Sequence, residues 1–523
     1  MSDFYQEVAA ATRRHGFNPV VGDIQLKQQQ WYNWYRGDVN GFHLFTRNIN
    51  GKQKRFERQT LNMPKKICED YATLIWNDQC QINFKNPRTQ ELVEDVLYRN
   101  GFETQFANLL ESAFGMGMAY MVQYLAKNKT EIDFISFDNA LPLGHNNGRV
   151  NAIVTINPFT IHEHKKEYQV THLTYHYLEE GQYCIMHEAY LSDNPHTLGT
   201  RSQNYLNYIF SEEELNQMRM IYRDDKGKAN DVAYKLIYDT SRLFFQVVKP
   251  NIANHYENNS PYGVPVIATL IPSFKVVDTL WDMFQSEAED NKTRIVIDHQ
   301  MFQTTMVEDE ETGTFEFVRY FDEGDTTFIG LPFKNTRTDQ KAIEFIQGQL
   351  RMDQLNLALN RSMQILGFRA GLGKKFYAFD DGAVYQNEAN VIHSNADTWK
   401  SKKKHEIVIK DAVESLVRSI LHLEGQLGNY SGDPEAEEIE IIFDDSIVQD
   451  DTSEFQTVKL LSDDGYLPKW FAVAKGLKIG EEEAKRLIEE ANEEDRQAAI
   501  DFLGTPEEEL EEDEEIEEAN SEA

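Results

Sequence analysis

Two stretches of this 523-residue chain carry residue types that could do chemistry. The first is GFRAGLGKK, residues 367–375. A phosphate-cradling loop needs GxxxxGK followed by Ser or Thr, so that backbone amides wrap the phosphates and a hydroxyl holds magnesium. Here Gly373-Lys374 is followed by Lys375, and Gly367 lies one residue too far upstream. The segment also follows a helical pattern and not a strand, so nucleotide binding is not expected. The second stretch is rich in histidine. On regular strands His162 and His164 share one face, as do His172 and His176, and His187-Glu188 follow. Imidazoles on adjacent strands suit a divalent metal. The spacing is not that of a helical zinc protease, however, and exposed strand histidines are common. There is no nucleophile elbow and no GxGxxG, and paired carboxylates in so acidic a chain select nothing. No catalytic residue, metal ligand or cofactor is expected.

A third feature is charge contrast. Arg369, Lys374 and Lys375 sit on what reads as a flexible loop, beside a helix bearing Lys400 and the run Lys402, Lys403 and Lys404. The rest of the chain is acidic, with a formal charge of −35 and a pI near 4.8. A conventional DNA-binding protein would show a basic face that displaces counterions, and this composition argues against one. On composition alone, a solvated loop and a solvated helix turn is the simpler reading of the local lysines. Cys68, Cys80 and Cys184 form no CxxC pair and are odd in number, which argues against a disulfide framework or structural zinc and suits a reducing cytoplasm. The N-terminus lacks the apolar core of a signal peptide, and no run approaches the ~18 apolar residues of a membrane span.

These residues need elements to position them. With 41% hydrophobic and 12% aromatic residues the chain can build substantial cores, and its length calls for several units. Residues 28–37, QQQWYNWYRG, put Trp31, Trp34 and Tyr35 at helical spacing, for a core or for docking on a neighbouring subunit. Residues 65–77, KKICEDYATLIWN, place Ile67, Tyr71, Leu74 and Ile75 on one helical face. Residues 90–97 and 102–114 continue in helical rhythm until Gly115 and Gly117 break it. Residues 118–125 and 131–137 read as strands, and 150–191 as an antiparallel meander of short runs. Mixed helical and irregular segments follow to about Tyr262.

The pattern then changes. A helical stripe runs through Val277, Leu280, Trp281, Phe284, Ala288 and Ile295, long enough to span roughly 35–40 Å. A compact insert, 301–337, has β-like runs and turns at Gly313 and Gly324. A second long helix, 340–366, carries Ile343, Ile346, Leu350, Leu355, Leu359, Met363 and Leu366. After the glycine-rich loop comes a third long helix, 387–427, with Ala412, Val413, Leu416, Val417, Ile420 and Leu423 as its stripe. A strand at 438–443, a helical module at 467–491 and the acidic end PEEELEEDEEIEEANSEA complete the chain.

That order resembles the phage portal protein family, in its branch from long-tailed, siphovirus-type phages of Gram-positive hosts. KKICEDYATLIWND resembles the family's early helix, FGMGMAYMVQY its wing, and SPYGVPVIATLIPSFKVVDTLWDMFQSEAEDNKTRI the beginning of its stem. QNEANVIHSNADTWKSKKKHE resembles the start of the tunnel helix. IIFDDSIVQDD and GYLPKWFAVAKGLKIGEEEAKRLIEEANEED resemble the return strand and the crown.

The resemblance implies an α+β portal fold with wing, helical stem, small α/β clip, long tunnel helix and helical crown. Its parts would be a wing at 1–272, a first stem helix at 273–298, a clip at 299–339 and a second stem helix at 340–366. A tunnel loop at 367–386, a tunnel helix at 387–427, a wing return strand at 428–450, a crown at 451–500 and a disordered acidic tail at 501–523 would follow. It further implies a dodecameric ring at one capsid vertex, through which double-stranded DNA passes without sequence specificity during packaging and ejection. Partners would be the terminase large subunit, head-completion and adaptor proteins, and the major capsid and scaffolding proteins, with no membrane, in a virion assembled in the host cytoplasm. Arg369, Lys374 and Lys375 would then be the DNA-proximal residues of the tunnel loop. The competing readings are a minor capsid or head-completion protein, which needs no such element order, and a metal-dependent hydrolase built on the histidine-bearing sheet.

Overall fold

The computed structural model describes residues 2–19, 23–49, 52–163, 166–222, 232–290, 294–298, 304–308, 315–319, 328–331, 343–346, 351–379, 388–444, 458–462, 465–477 and 484–491. The chain divides into two units, one of residues 1–384 and 394–444, the other of residues 385–393 and 445–523.

The first unit opens with α1 (Ser2–Arg13) and α2 (Asp23–Tyr35). Trp31 and Trp34 of α2 are each 1% exposed, so the aromatic spacing serves the core and not a docking face. A two-stranded ribbon, β1 (Leu44–Ile49) and β2 (Lys52–Glu57), follows. Next come α3 (Met63–Ile75), β3 (Gln81–Phe84), α4 (Pro87–Arg99) and α5 (Phe102–Met116). The stripe expected on α3 is buried at Ile67, Tyr71 and Ile75, and Pro64 occupies its first turn, where the missing N–H costs nothing. Gly115 does not break α5. Gly117 does, at φ 94°, because its backbone lies against Gly263: a Cβ at 117 would meet the Gly263 carbonyl oxygen at 2.4 Å.

Two sheets follow. Strands β4 (Ala119–Ala126) and β5 (Lys129–Ile135) begin the first. The meander is β6 (Ala140–Asn146), β7 (Arg149–Glu163), β8 (Lys166–Glu179) and β9 (Gln182–Ser192), with strands of up to 15 residues where short runs were expected. Beyond it, where mixed helical and irregular segments were expected, the chain also forms strands. It adds β10 (Thr200–Arg201), α6 (Glu212–Gln217), β11 (Arg219–Tyr222), β12 (Val232–Tyr238) and β13 (Phe245–Val248). The larger sheet is seven-stranded and antiparallel, in the order β11-β12-β9-β8-β7-β6 with β10 beside β9; the smaller runs β13-β4-β5. One face of the large sheet packs Leu141, Val154, Leu173 and Met186 against Val8 and Ala11 of α1. At one end of its other face, Ile161, Val170 and Ala189 meet Leu206 and Leu215.

The two expected stem helices are shorter and the insert between them wider than the sequence suggested. Helix α7 covers Ile271–Asp290, and Ile295 lies on β14 (Arg294–Asp298). Strands β15 (Thr304–Glu308), β16 (Phe315–Arg319), β17 (Phe328–Leu331) and β18 (Ile343–Ile346) follow. β14 pairs in parallel with β17 and antiparallel with β18, so Ile343 and Ile346, expected on a helix, sit on a strand. The β-branched runs RIVI and IEFI favour extended backbone over the helical period that their spacing also fits. Helix α8 then runs Met352–Ala370, past the expected end at 366, and stops at Gly371 with φ 83°. Gly367 is therefore helical. Its missing side chain admits the carbonyl of Gly373, which a Cβ would meet at 2.5 Å. Helix α9, Glu388–Gln426, is 39 residues and about 58 Å long. Its stripe Ala412, Val413, Leu416, Val417, Ile420 and Leu423 is buried. Strand β19 (Ile439–Ile442) returns to pair with β3.

In the second unit, helices cover Lys469–Leu477 and 484–491, where a helical module was expected. The acidic end, 501–523, lies outside the described residues.

Candidate functional site

The segment between α8 and α9 is built from fixed contacts. Ser401 Oγ donates to the Gly371 carbonyl at 2.7 Å, and Thr398 Oγ1 to the Leu372 carbonyl at 2.6 Å. From α3, the Tyr71 hydroxyl donates to the Ala370 carbonyl at 2.6 Å, while the Tyr377 hydroxyl donates to Asp70 at 2.7 Å. Four helix side chains thus satisfy carbonyls and hydroxyls that a glycine-rich loop would otherwise leave to water. Gly371, Leu372 and Tyr377 are thus tied to α9 and α3; residues 380–386 of the expected loop lie outside the described residues. Burial pushes the Tyr71 hydroxyl up to about 12, and Ser401 opposes it; Tyr377 is raised further by burial and by Asp70. Both stay neutral donors.

The three expected DNA-proximal residues separate. Arg369 is not in a loop but in the last turn of α8, where its guanidinium donates to Ser273 Oγ and to the Thr269 carbonyl, each at 2.6 Å. It fastens α8 to the start of α7. Lys374 and Lys375 are exposed, and the Lys374 ammonium lies 5.8 Å from the centre of the Phe368 ring. Phe368, itself 57% exposed, and Phe376, 40% exposed, flank them.

The lysine run on α9 is also broken up. Lys402 is 1% exposed, hydrogen-bonded to the Asp444 carbonyl and 3.2 Å from Glu406. Lys403 pairs with the same carboxylate at 3.0 Å. A solvated helix turn does not describe Lys402. The sequence signal for this was KKKHE, where Glu406 stands four residues beyond Lys402, the spacing of a helical ion pair. Next to it His405 is buried between Tyr71 and Phe114, accepts from the Asn251 N–H at 2.9 Å, and is lowered to about 4 by burial and by Lys404.

The histidine-bearing sheet gives a second candidate. His172, His176 and His187 are 3–8% exposed, so they are not surface histidines. His172 and His176 share a face, as expected. His172 Nε2 and His187 Nδ1 are 3.1 Å apart, the Thr174 hydroxyl is 3.2 Å from the first, and His176 Nδ1 is 2.8 Å from the Tyr183 hydroxyl. They line a cavity of about 430 Å³ that Phe210 and Met218 help to close. Burial lowers His172 to about 4 and His176 to about 3, the latter aided by His172. His162 is exposed and pairs in register with Glu167, and His164 lies outside the described residues. Among the described residues no group of three or more His, Cys, Asp or Glu is placed to hold a metal ion. Glu188 points away from His187, toward His15 in the turn after α1.

Comparison with known proteins points to a structural class. A family model described as phage portal protein, SPP1 Gp6-like, matches residues 26–497. The chain belongs to that family and has its portal function at the capsid vertex of the virion. The family is structural and not enzymatic. Comparison with curated proteins gave no match. Among solved structures, the chain is similar to one titled virion of native gene transfer agent (GTA) particle, at 12% identity and TM-score 0.31 over 77% of this chain and 84% of that one. It is also similar to one titled neck of native GTA particle computed with C12 symmetry, at 10% identity and TM-score 0.33 over 78% and 86%. No described helix is long and apolar enough to cross a membrane.

Proposed function

We propose that copies of this chain close into a dodecameric ring whose central channel passes double-stranded DNA without reading its sequence. The carrying observation is the family match over residues 26–497. In this reading α7 and α8 form the stem, the strands between them the clip, the segment after α8 the tunnel loop, α9 the tunnel helix, and the second unit includes the crown. The clip would take the terminase large subunit first and head-completion or adaptor proteins later; the wing would face the capsid and scaffolding proteins. The phage would be a siphovirus of a Gram-positive host, the ring assembled in the host cytoplasm. The chain itself would do no covalent chemistry and need no cofactor.

A channel must let DNA move. Every phosphate neutralised by a fixed cation adds counterion-release affinity, and a ring multiplies it. A strongly acidic chain that offers a few lysines at one constriction fits that need. Of the three residues assigned to the tunnel loop, Lys374 and Lys375 are the proposed DNA-proximal pair, and Arg369 is proposed to hold the base of the segment. The test is K374A/K375A in the phage, read as packaged genome length and infectivity. Shortened packaged DNA is expected. Full-length genomes at normal titre would remove the DNA role from this segment. Electron microscopy with native mass of the purified chain tests the ring itself: a closed ring with a central hole is expected.

A further inference from the structure

One exposed part of this acidic protein is basic. Residues 44–58 carry Arg47, Lys52, Lys54, Arg55 and Arg58 against the single acid Glu57, a net +4 in a chain of −35. They make up the ribbon β1–β2 and the residue after it, with the dipeptide Asn-Gly, favoured in two-residue hairpin loops, between the strands. Phe45 stands opposite Phe56, and Arg47 opposite Lys54. Side chains alternate along a strand, so Phe45, Arg47, Lys52, Lys54 and Phe56 share a face, and no acid stands on it. The two rings stack with centroids 5.8 Å apart, and the Arg47 guanidinium lies 5.0 Å from one and 5.8 Å from the other. Like charges directly opposite one another destabilise a ladder. Residues 52–55 are exposed, and among the described residues Arg47, Lys52, Lys54 and Arg55 form no ion pair.

The base of this self-repelling ribbon is nevertheless tightly fixed. Asp278 of α7, 1% exposed, accepts from the Thr60 hydroxyl at 2.9 Å and the Leu61 N–H at 3.1 Å, and its other oxygen is 3.1 Å from His43 Nε2. One turn on, Asp282 accepts from the Gln59 N–H at 3.2 Å and lies 3.8 Å from Arg58. A ribbon that carries uncompensated charge on a fixed mount calls for an anionic face to cover it.

We infer that the basic face of the β1–β2 ribbon docks on the acidic surface of a second copy of this chain; this rests on the ring reading above. Outside the ribbon each copy carries all of the molecule's excess negative charge, so an acidic partner is present one-to-one at every step of assembly. Helix α7, which mounts the ribbon, also leaves Val276 51% and Met283 43% exposed, apolar area that a neighbouring copy would remove from water. A nucleic-acid role fits less well, because the ribbon's cations, added on every subunit to the Lys374–Lys375 pair, would raise a phosphate affinity that the ring must keep low.

The test uses the full-length protein. Sedimentation velocity and native mass from low to high salt compare the unsubstituted chain with R47E/K54E and with the neutral R47Q/K54Q. Arg47 and Lys54 are both exposed, and an unchanged thermal midpoint checks folding. Charge reversal is expected to raise the concentration for half-assembly by about tenfold or more, neutralisation by less, and added salt to weaken only the unsubstituted assembly. A photo-crosslinker at position 54, in a mixture of isotope-labelled and unlabelled chains, is expected to join an acidic segment of the other copy. It serves even if the charge variants fail to fold. Normal rings with unchanged salt dependence in R47E/K54E, or crosslinks only within one chain, overturn this inference and leave the ring reading standing. A chain that stays monomeric at every salt concentration overturns the ring reading, and this inference with it. Loss of binding to a double-stranded DNA fragment by R47E/K54E, with rings intact, assigns the ribbon to nucleic acid and also overturns it.

Discussion

His187 and Glu188 are neighbours on β9, point to opposite faces of the large sheet, and meet burial in opposite ways. Glu188 is 1% exposed yet keeps company that favours charge: His15 Nε2, the Arg201 guanidinium at 2.8 Å, and the hydroxyls of Tyr175 and Tyr190 at 3.0 and 3.1 Å. Burial pulls its carboxyl up, but His15, Arg201 and Tyr175 outweigh it and hold the group below its ordinary value. Among the described residues, no acid pairs with His187. Burial, then His172 and His176, push its imidazole well below 6.5. One face therefore binds the turn after α1 through a buried charge, and the other lines a cavity with neutral rings. Burial neutralises a titratable group only where the fold supplies nothing of opposite sign.

The largest expected effect separates the two faces by pH. The folded imidazoles lie below 6.5, so the unfolded chain takes up protons first. Stability from the cavity face is complete above pH 6.5 and falls as the pH drops, until His172 and His176 titrate near 4 and 3. Each histidine costs up to about 1.4 kcal/mol per pH unit across that window. Protonating both members of the His172–His187 pair leaves two donors facing each other at 3.1 Å. Asp133, which also lines the cavity but keeps its carboxyl at the surface, is shifted the other way, upward, by desolvation against its Tyr124 hydrogen bond. Glu188 contributes above 4.5 and loses its contribution only as the pH falls through its lowered value. Urea unfolding from pH 8 to 4 should show a steep loss below 6.5. A flat profile down to 4.5 would erase the contrast.

Glu188→Ala is the next largest. It strands Arg201 and His15 in a buried site, at a cost of about 3–5 kcal/mol. The loss should centre on α1, read as faster hydrogen exchange over residues 2–13. Glu188→Gln keeps the volume and one acceptor and should cost less. Equal losses for the two variants would mean that shape, and not charge, holds α1.

Much of this was legible beforehand, for reasons particular residues show. The stripes on α3 and α9 appear in the sequence because each helix buries one face with the helical period, whereas β8 and β9 are buried on both faces and show in the sequence through residue type more than alternation. The ends of α7 and α8 did not, since Ile295, Ile343 and Ile346 fit a helical stripe and a strand equally until pairing decides. Arg369 was misplaced because Gly367 reads as a breaker, and only the backbone approach of Gly373 explains why a helix keeps it. Lys402 looked like surface charge; Glu406 four residues on was the available clue. The role of Glu188 was invisible, because its partners His15 and Arg201 lie 173 residues before it and 13 after, and only strand pairing and α1 bring them together.

The smallest effect isolates one ring. His187→Leu removes one of four imidazoles that burial holds below 6.5, the others being His172, His176 and His405, so the slope of stability below pH 6.5 should shrink by about a quarter. Near pH 8 the change should stay within about 1 kcal/mol, because His172 Nε2 keeps the Thr174 hydroxyl at 3.2 Å as a partner. Leucine fits the site's other neighbours, Phe210 at 4.8 Å between ring centres and the apolar wall of the cavity. If the slope is unchanged while stability at pH 8 falls, His187 acts by packing and the acid response belongs to the other buried imidazoles, His172, His176 and His405. If the slope disappears entirely, the three rings titrate as one coupled group, and the cavity face answers acid through the His172–His187 contact and not through burial of each ring separately.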